Sequence, residues 1–453
     1  MKTSQPKKKA FETGDPLALW QVAPPEWGEH TLWDLATYIN GRAFKPTDFS
    51  KVGLPVVKIT ELKYGFSGNT ACFESAYDQR HLLRRGDVLF AWSGNPETSL
   101  DAFWWRDGHA LLNQHIFRVI PREGIEKRFL YYLLKFLRPT FVRTARDKAT
   151  SMGHVKVSDL KRLIARLPSK DEQRAIEQIL GTLDDKIELN RRMNEKLEAI
   201  TRAIFKSWFV DFDPVYAKAE GRQPAGLDAA TAALFPDSFQ DLPLRQIPLG
   251  WEADEIRART KSIQYGLTRS ASQEAVGPHF LRITDIQGGR IDWSQVPFCP
   301  VSPEEHEKYR ICPGDILVAR TGASTGENIY ILHAPDSVFA SYLVRLQFAD
   351  PSVARVVGEY MRTPAYFDHV AGAIGGSAQP NASAQVLASP VFAFPPASLA
   401  KRFAQLVEPF DRRRVQNSQQ VGTLASLRDE LLPRLISGGI RVKNADKIIG
   451  AVQ

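Results

Sequence analysis

The sequence predicts an α+β fold of two mixed domains, each followed by a long helix, with the two helices paired as an antiparallel coiled coil in a pseudo-twofold internal repeat. Three observations lead there. The chain has 453 residues, more than one ordinary hydrophobic core organises. An apolar helical seam occurs twice, each position of the first recurring at one constant offset in the second. The segments ahead of the two seams share marks at nearly the same offset, the signature of a tandem duplication.

The first seam runs through Ile176, Ile179, Leu183, Met193, Leu197, Ile200 and Ile204. Steps of three and four residues place these side chains on one stripe of a helix built to pair with another. The second seam carries Phe403, Leu406, Phe410, Gln420, Leu424, Leu427 and Leu431 at the matching positions. Asn190 fills the wide gap in the first, and its counterpart in the second is Asn417. An asparagine here either sits in the seam, where its amide selects one register at a cost in stability, or faces solvent on a loosely packed helix. A helix of about 38 residues is roughly 57 Å long, and neither could stand alone with so apolar a stripe.

Upstream, Trp27 matches Trp251, Val57-Lys58-Ile59-Thr60-Glu61-Leu62 matches Leu281-Arg282-Ile283-Thr284-Asp285-Ile286, Gly86-Asp87-Val88-Leu89 matches Gly314-Asp315-Ile316-Leu317, and Pro168 matches Pro395. Alternating β-branched and aromatic residues between glycine and aspartate punctuation read as strands, with helical patches at residues 126 to 138 and 352 to 370. The expected organisation is a tail over residues 1–24, a domain over 25–168, a long helix over 169–210, a linker over 211–248 marked by Pro, Ala, Gly and Asp, a second domain over 249–395, a second long helix over 396–438 and a tail over 439–453.

The net charge of +8 suits a polyanion partner, because basic side chains neutralise phosphates and release counterions. No apolar run approaches the roughly 20 residues that span a bilayer, and the basic N-terminus lacks the apolar core of a secretory signal, so a cytoplasmic protein without membrane partners is expected. Three cysteines, Cys72, Cys299 and Cys312, with no CxxC pair suggest neither a disulfide framework nor a cysteine zinc site. No phosphate loop, HExxH or adenine-methyltransferase motif is present, so no catalytic residue, metal or cofactor is assigned to this chain. Gly322-Ala323-Ser324-Thr325-Gly326 imitates a nucleophile elbow, but that motif needs a helix next and a strand pattern follows.

Two rigidly spaced domains can read two short DNA segments separated by unread base pairs, since symmetric readers space their modules by turns of about 34 Å. Arg320 ends a predicted strand and can grip guanine O6 and N7 or a phosphate; Thr321 and Ser324 follow it in the same loop. In the first domain, Trp92, Ser93, Asn95, Trp105 and Arg106 form an aromatic and polar stretch suited to base or sugar contact, with one of the adjacent Trp104 and Trp105 expected in the core. Asn113, Gln114 and His115 follow on another strand, where amides can read adenine; Tyr342 is the counterpart of His115, which argues against a metal role for the histidine. Ser377, Gln379 and Asn381 lie in a small-residue loop that either approaches DNA or simply turns. Lys45, Lys58, Arg84, Arg85, Arg269 and Arg282 are candidate phosphate contacts.

With the duplicated Gly-Asp-Val/Ile-Leu strands, Glu172-Gln173-Arg174-Ala175-Ile176, Ser207-Trp208-Phe209-Val210-Asp211-Phe212-Asp213-Pro214 and Leu431-Leu432-Pro433-Arg434-Leu435-Ile436-Ser437-Gly438, the chain from Trp27 to Gly438 resembles the specificity subunits of Type I restriction-modification enzymes. The resemblance implies two target-recognition domains and a non-catalytic role in a complex with double-stranded DNA. Its partners would be two modification subunits that methylate adenine N6 with S-adenosylmethionine, docked on the paired helices, and restriction subunits that use ATP and Mg2+. The first domain departs from the family's Gly-Asp-Ile-Leu-x-x-Arg-x-Gly pattern, with Trp92 where the second has Arg320. The alternative is a coiled-coil adaptor whose duplicated domains bind protein.

Overall fold

The structure is a computed structural model that describes residues 16–20, 23–147, 153–241, 246–374 and 381–442. The chain divides into two compact units, Met1–Glu188 with Thr423–Gln453, and Leu189–Gly422. Two 40-residue helices, α1 (Lys170–Phe209) and α2 (Ala397–Ile436), each contribute residues to both units.

In the first unit, β1 (Ala36–Asn40), β2 (Val88–Ala91), β3 (Asp101–Trp104) and β4 (Ile116–Pro121) form an antiparallel sheet in the order β1-β4-β2-β3. In the second, β5 (Thr260–Tyr265), β6 (Ile316–Ala319), β7 (Asn328–Tyr330) and β8 (Leu343–Phe348) repeat it as β5-β8-β6-β7. The parallel pairing of Val56 and Val57 with Leu111 and Leu112 recurs as Phe280 and Leu281 with Val338 and Phe339. Duplication is therefore legible in hydrogen-bond topology, even where the side chains differ.

The duplicated Gly-Asp motif has one physical job in both units. Gly86 and Gly314 take φ of 88° and 96°, left-handed values that favour glycine. The following aspartate then turns inward: Asp87 accepts from the Arg84 amide at 2.9 Å and faces Arg118 at 3.1 Å. Asp315 accepts from the Cys312 amide at 2.9 Å and faces Arg345 at 3.5 Å. The motif ties a turn to the sheet beside it.

Each unit's core includes its share of the long helices. Ile176, Ile179, Leu180 and Leu183 join Trp27, Phe129 and Leu133, with Leu431, Leu435 and Ile436 from α2, in the first. Phe205, Trp208 and Phe209 join Trp251, Val344 and Phe403 in the second, where Phe209 and Phe403 meet edge to face at 5.2 Å. Within the first unit, Asp184 pairs with Arg428 and Glu172 with Arg441. Within the second, Asn190 bonds Gln420, Glu198 pairs with Arg414 and Phe205 packs on Phe403. Rising numbers on α1 meet falling numbers on α2, and in the first unit on Arg441 just past its end, so the helices run antiparallel in both.

The seam is apolar at its ends and polar between. Leu424 and Leu427 pack against the first core, and Ile204, Leu406 and Phe410 against the second; Leu197 is half-buried and Ile187 is buried. Asn190 and Asn417 are both buried, but not against each other. Asn190 donates to Gln420 at 3.1 Å, while Asn417 donates to Asn194 at 2.8 Å and Asn194 donates to the Arg414 carbonyl and the Ser418 hydroxyl. Asn417→Ala is expected to cost about 1 kcal/mol, because it removes a hydrogen bond to the half-buried Asn194 carbonyl oxygen; chemical denaturation of the purified chain measures it. Ile200 corrects the expected seam. It is 45% exposed, and Thr201 turns inward instead, because the adjoining buried surface is ionic: Glu198 meets Arg202, Arg362 and Arg414. Burial alone would raise the Glu198 carboxyl, but Arg362, Arg414 and Arg202 outweigh it and hold it below its ordinary value. The contribution of this cluster is present above the ordinary carboxylate range and is lost as pH falls through the lowered folded value.

Residues 211–248, expected as a linker, are folded wherever they are described. Asp213–Ala219 and Ala229–Ala233 are helical, Phe239–Asp241 pairs with Gln246–Pro248, and Val215, Phe235 and Ile247 enter the second core. Pro214 at a helix start and Asp228 capping Thr231 account for the composition that suggested a linker. Likewise Leu19, Trp20 and Ala23, placed in the expected tail, are buried in the first core, and Ile440 and Val442 pack against it.

Candidate nucleic-acid interface

A group of exposed and half-exposed side chains gathers at the same end of the sheet in each unit. In the second, Arg320 follows β6, and its backbone is held on both sides: its amide donates to the Tyr342 carbonyl at 3.0 Å and its carbonyl accepts from Ala382 at 2.8 Å. The guanidinium lies over the Tyr265 ring at 4.8 Å and donates to Asn381 Oδ1 at 3.2 Å. Thr321 bridges to Asn381. Tyr265 accepts from the Ala384 amide at 3.0 Å. Tyr265 and Tyr342 are 43% and 57% exposed, and the Arg320 fork is braced by the Tyr265 ring and by Asn381.

The first unit builds the same frame with other side chains. Trp92 follows β2, its amide donates to the His115 carbonyl at 3.3 Å and its carbonyl accepts from Val155 at 2.9 Å. The indole Nε1 donates to Asn40 Oδ1 at 3.1 Å, and the ring lies 5.8 Å from His154 and 6.0 Å from His115. Asn40, Trp92, His115 and His154 thus correspond in place to Tyr265, Arg320, Tyr342 and Asn381. Gln114 contacts His115 at 3.3 Å.

A model described as Type I restriction modification DNA specificity domain matches residues 24–199. The chain is 25% identical over 474 residues to the Type I restriction enzyme HindI specificity subunit of Haemophilus influenzae, covering 92% of this chain and 100% of that one. It is 23% identical over 343 residues to the MjaIX specificity subunit of Methanocaldococcus jannaschii, 73% of each. Residues 24–199 match that DNA specificity domain, and the chain is similar over most of its length to Type I restriction enzyme specificity subunits. A crystal structure of the S subunit from M. genitalium shares the fold, with a TM-score of 0.51 at 14% identity over 90% of this chain and 96% of that one.

Other residues singled out from the sequence are placed differently. Ser93, Trp105, Asn113 and Ser324 are buried; Trp105 belongs to a core cluster and donates to the Gly108 carbonyl, so of the adjacent pair Trp104 is the less buried. These four are withdrawn as direct contacts, because their strand or turn points them inward. Arg106 is drawn to Asp185 on α1 at 3.3 Å, Arg282 to Asp285 at 2.8 Å and Arg269 to Glu305 at 2.7 Å. Asn95 caps the short helix Pro96–Ser99. Lys58 lies over the Phe49 ring at 4.2 Å. Lys45, Arg84 and Arg85 are exposed and open to phosphate. Ser377 and Gln379 fall outside the described residues. Among the described residues no group of His, Cys, Asp and Glu could hold a metal ion, and no helix is long and apolar enough to cross a membrane.

Asn40 and Tyr265 were not singled out from the sequence. Each precedes a glycine, Gly41 or Gly266, at which a Cβ would lie 2.1 Å from the Asn113 carbonyl oxygen or 2.3 Å from that of Ala340. The paired Asn-Gly and Tyr-Gly steps, separated by nearly the same offset as the other repeated marks, were the available signal.

Proposed function

We propose that this chain is the non-catalytic DNA-reading subunit of a Type I restriction-modification complex, in which each unit's α+β module reads one half of a bipartite target. The observation that carries this is the repetition of one sheet topology in both units with unlike side chains at the matched sheet ends. A common frame with unlike exposed chemistry suits a reader of two different short sequences, since groove contacts specify bases while positioning contacts do not. The modules are taken as residues 25–168 and 249–395, with α1 and α2 as the shared scaffold.

On this reading, two modification subunits holding S-adenosylmethionine methylate adenine N6 within sites that the modules select, and restriction subunits bring ATP and Mg2+. Leu189 and Ile200 support docking on the scaffold. They are 52% and 45% exposed, three helical turns apart on α1, and therefore on one helical face.

Mapping methylated sites after reconstitution with the modification subunits tests the reading. Exchanging residues 25–168 for another family member's module is expected to change one half of the methylated motif and leave the other intact. DNA binding by the complex is also expected to weaken steeply between about 50 and 200 mM salt, by about 10³ for six phosphate contacts. Methylation without a bipartite motif, or binding indifferent to salt, would contradict it and favour a protein adaptor.

A further inference from the structure

Resting on that reading, we infer that four matched positions determine the bases of each half-site: those held in the first module by Asn40, Trp92, His115 and His154, and in the second by their counterparts.

The backbone equivalence is close enough to make the positions interchangeable. The Trp92 amide reaches the His115 carbonyl at 3.3 Å where the Arg320 amide reaches that of Tyr342 at 3.0 Å. The Val155 amide reaches the Trp92 carbonyl at 2.9 Å where the Ala382 amide reaches that of Arg320 at 2.8 Å. Gly41 donates to Ile116 at 3.1 Å where Gly266 donates to Leu343 at 3.2 Å. The ion pairs beneath, Asp87 with Arg118 and Asp315 with Arg345, are of the same kind. All four surface identities nevertheless differ.

What they present is also distinct. In the second module the Arg320 fork is steadied by Tyr265 under its face and Asn381 at its edge, so little freedom is lost when it meets an acceptor pair such as guanine O6 and N7. In the first, the indole of Trp92 is committed to Asn40 through Nε1, and its face with two imidazoles offers stacking and single hydrogen bonds but no fork. The second half-site is accordingly assigned a guanine read by Arg320, with Tyr265 and Asn381 as positioning residues.

The test uses the reconstituted complex with modification subunits and sequencing of methylated sites. The quadruple variant Tyr265→Asn, Arg320→Trp, Tyr342→His and Asn381→His is expected to change the second half of the motif and preserve the first. Methylation at the unaltered motif would overturn the inference. Arg320→Lys is the companion, because it retains the charge and disturbs packing least. It is expected to relax one guanine position by about tenfold in relative methylation rate, with competitor-DNA affinity held within about twofold; should the quadruple variant be inactive, an unrelaxed motif in Arg320→Lys overturns the inference. A wild-type complex that yields no bipartite motif contradicts the proposed function itself, whereas a bipartite motif indifferent to both variants refutes the assignment of these positions alone.

Discussion

Asp315→Ala is expected to destabilise the second unit by about 3 kcal/mol, the lower end of the range for breaking a buried ion pair by removing one partner. The carboxylate is 3% exposed. One oxygen accepts from the Cys312 amide, and the other accepts from Gln347 Nε2 at 2.8 Å. Arg345, 3.5 Å away with its side chain 8% exposed, would lose its facing carboxylate. It would keep the Arg310 and Lys308 carbonyls at 2.6 and 3.0 Å, which is why the lower end applies. Asp315→Asn retains an acceptor for the Cys312 amide and should recover part of the loss. The change in denaturation midpoint at constant slope measures both. An unchanged midpoint for the alanine variant would show that the Gly-Asp motif does not tie the turn to the sheet.

That motif illustrates what could be read before the fold was known. Its recurrence at residues 86–87 and 314–315 marked a shared strand entry, while the reason for the aspartate lies in Arg118 and Arg345, each well downstream and visible only once strands pair. The seams were legible because helical spacing leaves a one-dimensional trace. Ile200 broke that trace: spacing cannot distinguish an apolar residue facing a partner helix in the same chain from one facing outward. Trp105 and Ser93 were misassigned as contacts for a related reason, since an alternating pattern gives two faces but not which is inner. Asn40 and Tyr265 were missed because their role comes from neighbours distant along the chain, Trp92 and Arg320.

Leu189→Asp with Ile200→Asp is expected to reduce association with the modification subunit at least tenfold while DNA binding is retained. Burying a leucine or isoleucine is worth roughly 1.5–3 kcal/mol, and about 1.4 kcal/mol corresponds to a tenfold change in affinity. Each of these half-exposed side chains has about half of that left to gain, so losing both contacts is sufficient, and a carboxylate facing an apolar partner adds a desolvation penalty. Both side chains are about half exposed, so the substitutions leave the unit's core packing intact, and surface changes of this kind ordinarily move stability by no more than about 0.5 kcal/mol. Met193, half-buried, and Lys196, exposed, lie between them on the same side of α1, giving a narrow apolar strip with a cationic interruption that an acidic group on the partner could meet. Co-purification at limiting concentration and a gel shift of the free chain separate the two activities. Normal assembly of the double variant would remove this face of α1 as the docking surface, whereas loss of DNA binding together with assembly would mean that the strip serves the fold and not the partner.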